Sequence, residues 1–298
     1  MIENHSQSTT ISTILPIIAD NKSTILLQAV YFFKEADSQP SENLQLLIQV
    51  SDEYYGFTAF NAVNKKVLAW VFYQAKNNTA LTELDLLEIK TEQNWLNDSY
   101  KQTTIVVCGA NNTLFPKVLS TAENNLLNLM YAKKVTDVFL KDQIIAADAV
   151  NEYSVANTLY QLVQTHFTNT VWYHIQSLLL QKTPPVEPCI MVTISFHSIF
   201  INAAQNSKWI LLQNKTYQTP EDVLYHLLNC IKQLGFDEEK TTILIDGMVE
   251  ENSALTSFLY QYLHIMEWNT NLQFSYPPEA SSISKHTLAP IDRLLTCV

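Results

Sequence analysis

Two stretches of this chain repeat one another in order and kind, and that repetition restricts the possible fold more than any other feature. The first contains Leu44–Val50 (LQLLIQV), Gly56–Ala62 (GFTAFNA) and Lys66–Gln74 (KVLAWVFYQ), β-prone runs joined by short polar spacers. That spacing predicts antiparallel hairpins. A broad apolar face over Leu81–Leu96 predicts a helix, and TTIVVCG (Thr103–Gly109) is a short continuous apolar run suited to a buried strand. The second stretch repeats the order with Cys189–Ser195 (CIMVTIS), His197–Ala203 (HSIFINA), Lys208–Gln218 (KWILLQNKTYQ), a helix, and TTILIDG (Thr241–Gly247).

The second helix is written clearly into its residues. Thr219 can cap it, Pro220 suits the first helical position, and Glu221 and Asp222 favour the positive end of the dipole. Val223, Leu224, Leu227, Leu228, Ile231 and Leu234 make one apolar stripe, and Gly235 stops the helix. TTIVVCG answers TTILIDG, and Phe60-Asn61-Ala62 answers Ile201-Asn202-Ala203, at nearly equal offsets. We read this as an internal duplication.

The expected fold class is α/β. It comprises two ribonuclease-H-like β-β-β-α-β-α halves in tandem, with mixed sheets flanked by helices, in an actin-like arrangement. Residues 1–43 read as an N-terminal extension, with one β-prone piece at Thr24–Phe33. The first half spans 44–182. It is completed by strands at Val135–Leu140 and Tyr153–Val155, a helix at Ala156–His166, a strand at Thr170–Tyr173 and a helix at Ile175–Gln181. Residues 183–188 form a proline-rich hinge, because Pro184, Pro185 and Pro188 exclude regular structure. The second half spans 189–298.

Composition removes several functions. The formal net charge is -11, with no basic patch to displace counterions, so nucleic acid is not an expected partner. The chain has 4 glycines, Gly56, Gly109, Gly235 and Gly247, and no two lie within ten residues, so neither common glycine-rich phosphate motif can be written. Cys108, Cys189, Cys230 and Cys297 are isolated from one another and from metal-ligand spacing, and the first three sit in apolar segments as small core residues do. No apolar stretch reaches the ~20 residues of a membrane span, and the expected setting is cytoplasmic.

Trp209–Phe236 (WILLQNKTYQTPEDVLYHLLNCIKQLGF), TTILIDG and NTLFPKVL (Asn112–Leu119) resemble a bacterial family known only as domain of unknown function 3822. Asn151–Phe167 and Trp172–Leu180 add to the resemblance, which covers roughly residues 44 to 268. It implies a duplicated actin-like fold and no assigned activity or catalytic residues.

Actin-like ATPases hold phosphates in two hairpin turns, where Asp and Gly let backbone N–H groups approach the ligand. Here the first turn, Ser51-Asp52-Glu53-Tyr54-Tyr55-Gly56, separates its Asp and Gly by bulky or acidic residues. The second, Ser195-Phe196-His197-Ser198, has neither, and Phe196 stands where the loop should open. Asp246-Gly247 is the one trace of a nucleotide site, and its alternative reading is a strand end turning on glycine. A single acid in the matched strands cannot hold a metal pair, which argues against a nuclease.

His226 and His174 read as hydrogen-bonded structural histidines more readily than as bases, and Ser195 with His197 makes no triad. Tyr54-Tyr55, Tyr225, Tyr260 and Tyr262 are either interface anchors or sheet aromatics. The sequence therefore predicts no catalytic, cofactor-binding or metal-binding residue and no cofactor. The expected function is a non-catalytic degenerate actin-like protein acting as a binding or scaffold module. A protein partner is allowed, or a homodimer through an exposed edge strand. The alternative is a nucleotide- or sugar-phosphate-binding enzyme of the actin-like ATPase superfamily with an unusual phosphate loop.

Overall fold

The computed structural model describes residues 27–35, 43–75, 80–109, 112–120 and 137–298. Most of the expected N-terminal extension, and the first residues of the pieces expected at Thr24–Phe33 and Val135–Leu140, lie outside these residues. In the first half, β1 (Leu27–Lys34), β2 (Leu44–Val50), β3 (Tyr54–Asn61), β4 (Lys66–Ala75), β5 (Gln102–Val107) and β9 (Thr170–His174) form a 6-stranded sheet in the order β1-β4-β3-β2-β5-β9. Inserted after β5 is a 3-stranded sheet of β6 (Asn112–Pro116), β7 (Asp137–Ile144) and β8 (Ala149–Ala156). In the second half, β10 (Cys189–Ile194), β11 (Ser198–Gln205), β12 (Lys208–Thr216), β13 (Thr242–Gly247) and β14 (Met266–Trp268) form a 5-stranded sheet, ordered β12-β11-β10-β13-β14.

Each half opens with an antiparallel meander whose first strand then pairs in parallel with a later, apolar strand. Helices α1 (Glu83–Glu92), α2 (Asn157–His166), α3 (Ile175–Leu179), α4 (Pro220–Leu234), α5 (Ala254–Leu259) and α6 (Lys285–Leu295) flank the sheets. Helix α4 begins and ends where its residues require. Thr219 and Asp222 form a reciprocal capping box, and Gly235 closes it at φ 66 in the left-handed region.

The pairing registers correct one detail of the sequence comparison. Gln45 lies opposite Phe60 and Gln102, while Cys189 lies opposite Ala204 and Thr242. Thr103 therefore stands in the place of Ile243 rather than Thr241, Phe60 in that of Ala204, and Gly247 in that of Val107. For Thr103 the shift is two residues, which keeps the same side chains on the same face, so hydrophobicity alone does not set that alignment. For Phe60 it is three residues from Ile201, which changes the face.

Among the described residues, three apolar cores organise the fold. One lies between the first sheet and α1 and α2, with Leu46, Phe57, Val71, Leu86 and Val163 among its members. Another lies under α4 and α5, with Ile190, Ile201, Val223, Leu227 and Leu259. The third joins the halves. Leu47, Tyr54, Trp70 and Phe72 from the first meet Phe200 from the second and Leu288, Ile291 and Leu294 from α6. The C-terminal segment is thus shared: Phe274 packs edge-on against Phe60 at 6.0 Å, and Val67 N–H donates to Ser275 O at 2.9 Å. Residues 183–188 carry no helix or strand, yet their backbone is tied to the β11–β12 turn, where Asn206 N–H donates to Val186 O at 2.7 Å.

Candidate functional site

The turns that follow β2 and β10 face each other across the junction of the halves. Both close alike: Ser51 N–H donates to Tyr54 O at 3.0 Å, and Ser195 N–H to Ser198 O at 2.8 Å. Their serines then diverge. Ser51 Oγ accepts from the backbone of Glu53 (2.9 Å) and Tyr54 (3.3 Å), which turns the chain sharply and projects the Glu53 side chain. Ser195 Oγ instead donates to Glu53 Oε2 at 3.0 Å, and His197 N–H donates to the same oxygen at 3.3 Å. A carboxylate of the first half thus occupies the hydrogen-bond donors of the second half's turn. Phe196 is turned onto Phe72, with ring centroids 6.1 Å apart.

Asp246 is buried and fully engaged. Its oxygens accept from Thr193 Oγ1 (2.6 Å), Asn269 Nδ2 (2.7 Å) and Arg293 Nη1 (2.8 Å), while Arg293 Nη2 donates to Thr193 Oγ1 at 2.8 Å. A buried carboxylate needs such pairing to remain charged. Gly247 adopts φ 105, and a Cβ there would sit 2.2 Å from Ile194 O. The glycine is required by close strand packing. Beside this pair lies a cavity of about 40 Å³, lined by Tyr54, Trp70, Phe72, Phe200, Met248 and Arg293 among others.

The histidines separate by environment. His174 ends β9 fully buried. Its Nδ1 accepts from Gln176 N at 3.2 Å, its Nε2 lies 3.1 Å from Gly109 O, and its N–H donates to Asp142 at 2.7 Å. Burial holds its pKa down at about 4, so the ring is neutral and caps α3. His226, on α4, and His197 line an open groove with Glu53, Tyr217 and Asp222. Among the described residues, no group of three His, Cys, Asp or Glu side chains is placed to hold a metal.

Burial pushes the thiols of Cys108 to about 12, and of Cys189 and Cys230 to about 11, which leaves all three protonated and unreactive. The tyrosines divide. Tyr54 and Tyr55 are core residues, 6% and 2% exposed, so they are not surface anchors. Their strand is covered on both faces. Tyr225, Tyr260 and Tyr262 remain at the surface.

Sequence reasoning missed Glu53 as a link between the halves and Arg293 as the partner of Asp246. Glu53 carries no local signal, because its donors lie far along the chain. Arg293 did carry one: it is the sole arginine in the sequence, and its guanidinium is suited to a buried bidentate role.

A family model described as a protein of unknown function, DUF3822, matches residues 34–266. No curated protein matches the chain. Among solved structures, a Bacteroides thetaiotaomicron protein with an actin-like ATPase fold and unknown function matches with TM-score 0.69 at 17% identity, over 87% of this chain and 97% of its own. The PilM-PilN type IV pilus biogenesis complex matches with TM-score 0.54 at 9% identity, over 85% and 96%. The cytoplasmic domain of EpsL, an inner membrane component of the type II secretion system of Vibrio cholerae, matches with TM-score 0.45 at 12% identity, over 86% and 96%. At these identities the likeness is one of fold, and the fold is that of the actin-like ATPases. No helix among the described residues is long and apolar enough to cross a membrane.

Proposed function

The chain belongs to the DUF3822 family, and we propose that it works as a non-catalytic binding or scaffold module on a degenerate actin-like fold. Glu53 carries this reading. Its carboxylate takes the hydroxyl of Ser195 and the N–H of His197, so a phosphate approaching the same donors meets a like charge at hydrogen-bond range. The surroundings support it. Phe196 packs on Phe72 within the apolar core that joins the halves. The adjoining cavity of about 40 Å³ is far smaller than the ~150 Å³ that holds one benzene ring.

On this reading the two halves descend from one duplicated unit, and the ligand is a protein. That another protein of this fold, PilM, is found in complex with PilN fits such a role. Four cysteines without a disulfide fit a cytoplasmic setting. The test is the melting temperature of the purified protein with ATP, ADP and sugar phosphates, each with Mg²⁺. We expect no shift. A shift in the wild type that Asp246→Ala abolishes while the variant stays folded overturns the proposal in favour of an enzyme site.

A further inference from the structure

We propose that the outer edge of β12 docks an extended segment of a protein partner, which joins the sheet as an antiparallel strand and carries an acidic residue near each end. This deepens the scaffold reading and rests on it in one respect, that the ligand is a protein. Among the described residues no backbone hydrogen bond reaches the outer side of Leu211–Thr216, and every side chain of β12 is partly or fully exposed. Such an edge presents a row of unpaired N–H and C=O groups, which an added strand satisfies.

The molecule holds its own example of this pairing. In the first half the same edge, that of β4, is taken by β1, which has no counterpart among the described residues of the second half. Phe33 lies opposite Trp70 there, and Ala29 opposite Tyr73. Glu35, just past the end of β1, donates its N–H to Leu68 O at 2.8 Å and is ion-paired with Lys66, the first residue of β4. In the cross-strand register Lys66 corresponds to Lys208, since they lie opposite Asn61 and Gln205. Tyr73 corresponds to Lys215, since they lie opposite Tyr55 and Ile199. The bulge of β12 is no obstacle, because β1 pairs with the stretch of β4 beyond the equivalent bulge.

The chemistry of the occupant follows. An acid just past its last paired residue would meet Lys208 as Glu35 meets Lys66, and an acid where β1 has Ala29 would meet Lys215. Neither lysine has an ion-pair partner among the described residues. Residues 205–218 contain no acid, in a chain whose net charge is -11. Between its two acids the segment should be apolar opposite Leu211 and Leu212, which are only partly covered. A second copy of β12 is the wrong occupant. Laid antiparallel in the register that pairs the whole strand, it would bring Lys208 of each copy beside Lys215 of the other, a destabilising like-charge contact.

The test is amide hydrogen exchange of the ¹⁵N-labelled full chain with two blocked nine-residue peptides. Both consist of valine and threonine, except that one has glutamate at its third and ninth positions and the other has lysine there. We expect the glutamate peptide to slow exchange at the outward amides of Leu211–Thr216 in a saturable way. It should bind about tenfold more tightly than the lysine peptide, since two opposite-charge pairs replace two like-charge pairs. The double variant Lys208→Glu, Lys215→Glu, altered only at partly or fully exposed positions, should reverse that order. No protection of β12 by either peptide, or equal binding of the two, overturns the proposal. So does finding these amides already slow in the free protein. Slowing that is independent of concentration would then mean that the chain covers its own edge, and slowing that grows with a doubled mass in light scattering would mean a second copy. The two readings fail separately: a nucleotide-induced rise in melting temperature removes the scaffold reading, whereas an unresponsive β12 removes this one.

Discussion

Strands β4 and β12 hold the same place in their halves, and they could hardly be built more differently. Trp70 lies opposite Thr58 as Leu212 lies opposite Asn202, and each strand carries a bulge at the same point. In the first half β1 runs antiparallel along the outer side of β4, from Leu27 opposite Ala75 to Lys34 opposite Ala69. Covered on that edge and on both faces, β4 reads Val71-Phe72-Tyr73 where β12 reads Gln213-Asn214-Lys215. Among the described residues β12 pairs only with β11, and its side chains are partly or fully exposed. Its polar residues, lysines and bulge are the usual protection of an open edge. One architecture thus tolerates two chemistries, and what differs is whether a neighbouring strand excludes water.

The largest expected effect tests that contrast. Trp70→Ala should cost about 3–5 kcal/mol in urea unfolding, the usual range for removing a large buried aromatic. Leu212→Ala should cost about 1 kcal/mol, because much of its side chain already meets water. Equal losses would mean that β12 is covered by something other than solvent.

The glycines give a second contrast. Gly247→Ala should cost about 2–5 kcal/mol, combining left-handed backbone strain with a close approach to Ile194 O. A methyl group added at Gly109 would meet no described atom within 4 Å, and Gly109→Ala should change stability by no more than ~0.5 kcal/mol. A comparable loss at both sites would restore the sequence pairing of these glycines that the strand register denies.

Much of this architecture was legible beforehand, and the reasons are local. The helix Pro220–Leu234 could be read because its cap, first-turn acids, apolar stripe and terminal glycine are contiguous. The meanders could be read because polar spacers separate apolar runs. What escaped depends on contacts distant in sequence. Tyr54 and Tyr55 look like surface aromatics until α1 and the second half cover their strand. The hydrogen bonds from Ser195 to Glu53 and from Arg293 to Asp246 join residues that no local pattern connects. The strands of the inserted sheet were seen only in part, since β6 (Asn112–Pro116) is short and polar-flanked.

The buried histidine provides a smaller and pH-dependent effect. His174 has its pKa lowered from 6.5 to about 4 by burial. Above pH 6.5 both states are neutral and it contributes no dependence. As pH falls from 6.5 towards 4 the unfolded chain takes up the proton first, and stability declines by up to about 3 kcal/mol. Asp142, whose pKa is raised by burial, acts in the opposite sense at the acid end, because its folded carboxyl protonates earlier. Denaturation at a series of pH values should show a slope over that window in the wild type and a reduced one in His174→Gln. An identical slope in both would mean that the ring is accessible to protons in the folded state.

A small stability effect is expected at the link between the turns. Glu53→Gln should cost about 1 kcal/mol, the loss of charge assistance in a half-exposed pair of hydrogen bonds. Asp52→Asn on the exposed neighbour should cost close to nothing. Faster amide hydrogen exchange at His197 in the Glu53 variant alone would locate the effect in the second turn.

We propose that the protein's own carboxylate and aromatic side chains occupy the place where this fold would otherwise admit a nucleotide phosphate. Calorimetric titration of the wild-type protein with Mg-ATP tests it most directly. No binding heat above dilution is expected, and micromolar affinity would show that the phosphate site is open.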